Sequence, residues 1–376
     1  MEHRMRTFLR RLDRARRYAT LPLLQLLLRR GRSVAFPLDP ASTKRVLVIR
    51  DDGLGDAITT LPMIRLLRRL LPPSASIDVL CTHRNAQVFA ALPDVTRLWF
   101  RPTSSADLLR LLLRLRREQY DVILLTVRNK TTASALLMRA IASPHTIRAA
   151  SDRGQEYRWH FDFCSRIASA ATNEWQATLN LVAELFGYTL TERDCEPFFP
   201  RVERSWQIAA QHCKRLGLAL GSYVVVNLSV YQPRNKWNTA QLHTTLAALC
   251  SEGLHLIACG IESDLASYRD ILDSLGVPSY PPTHDIHQIA GLIANARCII
   301  TPDTGIVHLA TALGTPLVAL YRSDGKAEHY WAPFCHPNAV QLIAELGTLP
   351  GSIPAEKIIH ATLELIHSRA AAPALS

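Results

Sequence analysis

The sequence predicts an α/β protein built from two doubly wound domains, and three observations carry that expectation. From residue 45 onward, short apolar runs alternate with helical patterns, as strand–helix units do. The first of them, Val46–Ile49, is apolar without a break, as a strand of a parallel sheet covered on both sides requires. The alternation pauses at Pro197–Pro200 and then restarts, and 376 residues are more than one core usually organises.

Taken in order, residues 1–44 form a basic arm and linker. Residues 1–45 carry twelve basic and three acidic residues, or +9 of the chain's net +11, so the remaining 331 residues are nearly neutral. The apolar stretch Tyr18–Leu28 contains Pro22 and is too short for the roughly 20 residues that span a bilayer. It ends in Arg29-Arg30-Gly31-Arg32, not in a small-residue cleavage site. An arginine-rich helix beside an apolar stripe suits an anionic membrane surface; docking on the body is the alternative. The arm has few aromatic residues and no base-reading motif, so no nucleic-acid partner is expected. Pro37-Leu38-Asp39-Pro40 reads as the linker.

Strands are expected at 46–49, 77–81, 97–100 and 122–126, and helices at 57–71, 106–115 and 173–186. These belong to a first domain, residues 45–200. In the second, residues 201–376, strands are expected at 223–228, 254–259 and 298–301. Helices are expected there at 206–216, 240–250, 264–275 and 286–295. The eight cysteines include no C-x-x-C pair, and several sit in apolar strands, which fits buried thiols and not a zinc site or disulfide framework.

Two segments carry the chemistry. In Thr301-Pro302-Asp303-Thr304-Gly305-Ile306-Val307-His308 a buried strand ends in a turn, and a helix opens at Asp303 or Thr304. Either residue caps the helix well, and Gly305 leaves the first amides accessible, so the turn offers an anion roughly half a positive charge. His308 follows Thr304 by one helical turn. The second segment is Arg50-Asp51-Asp52-Gly53-Leu54-Gly55-Asp56. It resembles a dinucleotide fingerprint only superficially: Asp56 would repel a pyrophosphate and is better placed as a base, or as a helix cap.

With Lys236-Trp237 after the strand at 223–228, and Gly260-Ile261-Glu262-Ser263-Asp264, these motifs resemble the heptosyltransferase family, glycosyltransferase family 9. Asp303 to Pro316 meets that family's Asp-Thr-Gly-x-x-His-x-Ala-x-Ala-x-Gly-x-Pro signature in full. The resemblance, which runs from about Arg45 onward, implies two Rossmann-like domains facing a cleft (GT-B architecture), preceded here by the basic N-terminal helical arm read from the charge. It implies transfer of a heptose from ADP-heptose to lipopolysaccharide core, by a peripheral enzyme at the cytoplasmic face of the inner membrane. It also implies Asp56 as general base. Lys236, Asp303, Thr304, Gly305 and His308 would lie on the donor diphosphate with Ser229 nearby, and either Glu262 or Asp264 on the ribose. Base and leaving group on opposite faces of the sugar mean inversion. Neither metal nor cofactor is expected, since no Asp-x-Asp pair occurs and Lys236 with the helix amides can meet the departing phosphate.

The acceptor is anionic, so cationic loops are expected on the first domain: Arg84, Arg101, Arg128, Lys130, Arg148 and Arg153, with Gly55 beside the base. Asp51-Asp52 departs from the small polar residues more common in core heptosyltransferases. That leaves the donor sugar and acceptor open, so a same-fold transferase for O-antigen, capsule or protein is an alternative; a non-catalytic sugar-nucleotide-binding membrane protein is another, against which the intact Asp56 argues.

Overall fold

The computed structural model describes residues 34–127, 132–151, 160–165, 173–323 and 327–370. The first sheet holds β1 (Arg45–Ile49), β2 (Ser76–Cys81), β3 (Arg97–Phe100), β4 (Val122–Leu125), β5 (Ile147–Ser151) and β6 (Phe163–Ser165), in the order β3-β2-β1-β4-β5-β6. The second holds β7 (Tyr223–Asn227), β8 (His255–Cys259), β9 (Cys298–Pro302), β10 (Leu317–Ser323) and β11 (Ala339–Leu346), in the order β11-β10-β9-β7-β8. Every pairing is parallel; Val46, for example, lies between Ile77 and Val122. Strand order reverses between β1 and β4 in one sheet and between β7 and β9 in the other. At such points neighbouring connections leave in opposite directions and open a crevice beyond the strand C-termini.

The apolar strands serve two faces each, with the period of two that a pleated strand imposes. Val46 and Val48 enter one cluster, while Leu47 and Ile49 enter another. In β7, Val225 joins the first of these clusters and Val224 and Val226 face outward to a third. One apolar body therefore runs from β1 through the helix Glu174–Phe186 to β9 and the helix Gly305–Leu313.

Several expectations are corrected. The helix expected at 57–71 is two helices, Leu54–Thr59 and Leu61–Leu70, because Pro62 has no N–H to donate and sits in the first turn of the second. The helix expected at 264–275 also divides, into Glu262–Ser267 and Arg269–Ser274, at Tyr268, whose hydroxyl donates to the Trp237 carbonyl at 2.9 Å. Pro37–Pro40 is docked, not loose. Val34, Phe36 and Leu38 pack on the core, the Leu38 amide donates to the Leu185 carbonyl, and Pro37 lies against Gly187. Residues 1–33 of the basic arm lie outside the described residues. β5, β6, β10, β11 and the helix Ala355–Ala370 complete the fold beyond the expected elements. β5 escapes an apolar-run reading because Arg148 sits inside it, and β6 because it is three residues long.

Candidate functional site

At the first switch point, β1 runs directly into Arg50, which is fully buried. Its Nε donates to the Asp56 carbonyl at 2.8 Å and to Thr60 Oγ1 at 2.7 Å. Nη1 donates to the Thr126 carbonyl and reaches Asp52 at 3.2 Å; Nη2 reaches Glu174 at 3.1 Å and Thr59 Oγ1 at 3.2 Å. Glu174 is as buried as Arg50. Asn85 adds two donations from its side-chain amide, to the carbonyls of Arg50 and Asp52. The loop before Asp56 is thus held by groups from four separate segments: Thr59 and Thr60, Asn85, Thr126 and Glu174.

Asp56 is the third residue of the helix Leu54–Thr59, whose N-cap is Gly53, so Asp56 is not the cap. Its carboxylate folds back over Gly53, where a Cβ would lie 2.5 Å from Oδ2, so a larger residue there would push the Asp56 carboxylate aside. Asp51 is paired with Arg101. Asp52 has one oxygen on Arg50 and the other, Oδ1, buried without a hydrogen-bond partner. Burial pushes the Asp52 carboxyl up to about 7, and the negative charges of Asp56 and Glu174 add to this against the pull of Arg50.

At the second switch point the Asn227 amide donates to the Ser229 carbonyl at 3.1 Å and to Thr301 Oγ1 at 2.9 Å. Asn235 donates to the Asp303 carbonyl at 3.0 Å, and the Trp237 indole to the Asn227 carbonyl at 2.9 Å. Ser229 Oγ accepts the Ile261 amide at 2.6 Å and lies 2.9 Å from where a Cβ on Gly260 would stand. Lys236 Nζ is 2.9 Å from Asp264 Oδ1; the lysine side chain is 40% exposed and the aspartate 6%. That hydrogen bond raises the Lys236 ammonium above its usual value. Asp264 Oδ2 is buried without a hydrogen-bond partner, whereas Glu262 stands exposed in the same first turn. Thr304 is the N-cap of the helix Gly305–Leu313, its Oγ1 accepting the Ile306 amide at 3.2 Å.

The two switch points meet. A Cβ on Gly55 would stand 2.9 Å from the Gly305 Cα, and one on Gly305 would stand 3.0 Å from the Gly55 nitrogen. Asp56 therefore adjoins the start of the opposing helix. Gly55 itself is occupied by this contact, not opened toward an acceptor. His308 is buried behind it: Trp175 Nε1 donates to His308 Nδ1 at 3.2 Å, so the proton is assigned to Nε2, and the Trp331 ring lies 5.8 Å away. Burial pulls the His308 imidazolium down to about 4, so near neutral pH the ring brings an N–H and packing, but no charge.

Further contacts close the cleft at its side. Gln87 donates to the His284 carbonyl at 2.8 Å and accepts the Ile286 amide at 3.0 Å, and the Arg84 guanidinium lies 4.7 Å above the Tyr231 ring. Arg84 thus bridges the mouth of the cleft. Arg148, expected on an acceptor loop, is buried in β5 and paired through two nitrogens with Asp162. Arg128, Lys130 and Arg153 lie outside the described residues. Among the described residues no group of three or more His, Cys, Asp or Glu could hold a metal ion, and no helix is long and apolar enough to cross a membrane. Sequence reasoning missed Arg50, Glu174, Trp175 and Asn227 as site-builders. A charged residue closing an apolar strand could have flagged Arg50; Glu174, 124 positions away, gives no local signal.

Comparison with known proteins agrees with this fold. The family model "Glycosyltransferase family 9 (heptosyltransferase)" matches residues 108–350. Lipopolysaccharide heptosyltransferase 3 of Escherichia coli is 23% identical over 305 residues, covering 77% of this chain and 86% of that protein. Lipopolysaccharide core heptosyltransferase OpsX of Haemophilus influenzae is 21% identical over 299 residues, covering 76% and 81%. The solved glycosyl transferase family 9 protein of Veillonella parvula superposes with a TM-score of 0.74 at 17% identity, over 88% of this chain and 99% of that one. The E. coli heptosyltransferase WaaC with ADP gives 0.67 at 18% identity, over 85% and 99%. The expected α/β fold with two parallel sheets is that of these GT-B structures. With both switch points facing one crevice, and the family match spanning more than half of the sequence, this chain is a glycosyltransferase and belongs to glycosyltransferase family 9.

Proposed function

We propose that the protein transfers a heptose from ADP-heptose to a hydroxyl of lipopolysaccharide core, with inversion and without a metal, at the cytoplasmic face of the inner membrane. One observation carries the chemistry: the Gly55–Gly305 contact sets Asp56 against the start of the helix Gly305–Leu313. Asp56 removes the proton of the acceptor hydroxyl as it attacks the anomeric carbon. The departing ADP then gathers negative charge, which is met by the helix amides behind Thr304 and by Lys236. Lys236 turns from Asp264 Oδ1 toward phosphate, a short move for a lysine whose side chain is already part-exposed. Of the two acids offered for the ribose, we assign Glu262: it is exposed, while Asp264 is buried and committed to Lys236. The donor choice is supported by relatives whose names give ADP-heptose or lipopolysaccharide as what they act on.

The test is Asp56→Asn assayed with ADP-heptose and a delipidated core acceptor. A positioned base contributes about 10²–10⁴ in rate, so kcat should fall at least about 100-fold while donor affinity holds. Retention of more than about a tenth of the turnover would remove Asp56 from the role of base.

A further inference from the structure

We infer that the helix Ser105–Arg117 is a lipid-docking surface, so that part of the membrane contact lies on the enzyme body and not solely in the basic arm; this rests on the membrane reading above. The helix reads Ser-Ala-Asp-Leu-Leu-Arg-Leu-Leu-Leu-Arg-Leu-Arg-Arg, yet only Leu111 and Leu115 are buried. Leu109 and Leu113, one turn apart, are 60% and 51% exposed, with Arg110, Arg114 and Arg117 exposed on the same helix. Leucine beside arginine on an exposed helical face is the pattern of a helix lying in a headgroup layer. The helix Thr132–Ile141 packs beside it and turns Leu136 outward as well.

Charge selects the occupant. Asp107, paired with Arg110, is the sole acid within the helix; Arg114 and Arg117 have no carboxylate partner among the described residues. An anionic lipid surface complements that face. The basic arm does not: it carries the same sign, and the chain leaves it through Val34–Leu38 on the opposite face of the first sheet, the face that joins the second sheet's core. A second copy would set arginine against arginine. Position agrees too, since the helix begins just after β3, at the same C-terminal end of the sheet from which Asp56 follows β1.

The experiment is co-sedimentation of the full chain with vesicles of phosphatidylcholine alone or with phosphatidylglycerol added. Comparing low salt with about 0.5 M salt, where the Debye length is roughly 4 Å, screens the arm's long-range attraction. Leu109→Ser/Leu113→Ser should weaken binding to anionic vesicles about tenfold at high salt, with ADP binding unchanged. Arg114→Ser/Arg117→Ser should weaken it at low salt and reduce the preference for phosphatidylglycerol. Unchanged binding of the leucine variant, or wild-type binding that ignores lipid charge, overturns the proposal. So does a leucine variant that alters the oligomeric state while still binding vesicles, since the face would then be an interface between copies. ADP binding reads the donor site separately, so failure here is distinguishable from failure of the transferase reading.

Discussion

At the end of β1 every nitrogen of the buried Arg50 guanidinium is committed to side chains or carbonyls, among them Thr126 and Glu174 from far along the chain. At the end of β7 the cation is instead a part-exposed lysine, held by a single carboxylate whose second oxygen has no hydrogen-bond partner. The same topological device, a switch point in a parallel sheet, has been filled in opposite ways. The difference follows the work: a base must be aimed before substrate arrives, while a diphosphate must be received, neutralised and released.

Breaking the rigid half should cost most. Glu174→Leu leaves Arg50 buried with one carboxylate fewer, and removing a partner from such a pair costs about 3 kcal/mol. Urea denaturation should show that loss, and turnover should fall with it because Arg50 positions the Asp56 carbonyl. An unchanged midpoint would mean that Asp52 alone neutralises Arg50. In the adaptable half, Lys236→Ala should raise the Kd for ADP about tenfold by calorimetry, and lower kcat as well, since ground state and leaving group share the cation. An ADP affinity equal to that of wild type would place the diphosphate elsewhere.

Asp52 sharpens the comparison through pH. Its carboxyl, raised to about 7 in the folded protein, is ordinarily near 3.9 in an unfolded chain. The folded state therefore binds the extra proton between about pH 4 and 7, and stability declines as pH rises through that window. Asp52→Asn should abolish this decline in urea titrations. It should also change the dependence of kcat on pH near 7, since the Asp52 carboxyl interacts electrostatically with Asp56. A profile identical to that of wild type would uncouple the two acids. The smallest effect is expected from Glu262→Gln, a few-fold loss of ADP affinity from one exposed ribose hydrogen bond. An equal loss from Asp264→Asn alone would reverse the assignment of the ribose.

Much of this was legible because the informative signals are local. A short, mostly apolar run bounded by polar turns marks a strand wherever it falls, so β1, β2, β3, β4, β7, β8 and β9 could be read directly, and Thr304-Gly305 announced a helix start within a few residues. What stayed hidden depends on distance along the chain. Arg148 looks like any loop arginine until Asp162 is folded against it, and nothing near His308 in the sequence announces Trp175, whose indole meets its Nδ1. Arg84 gave no hint of Tyr231, nor Arg50 of Glu174. Charge counting places cations on a surface or in a core only after the fold has chosen their partners.

The Gly55–Gly305 contact has a consequence for how this sequence can change. Neither position tolerates a methyl group while the other backbone stays in place, because each added Cβ would stand within about 3.0 Å of the opposite chain. Nor does replacing one residue make room for replacing the second, since a glycine has nothing left to give up. Substitution at either site, or at both, forces the halves apart, and only a shift of the whole helix Gly305–Leu313 could compensate. The seam between the two sheets is thus closed to stepwise drift at one point, two atoms wide, while the surfaces on either side of it remain free to vary.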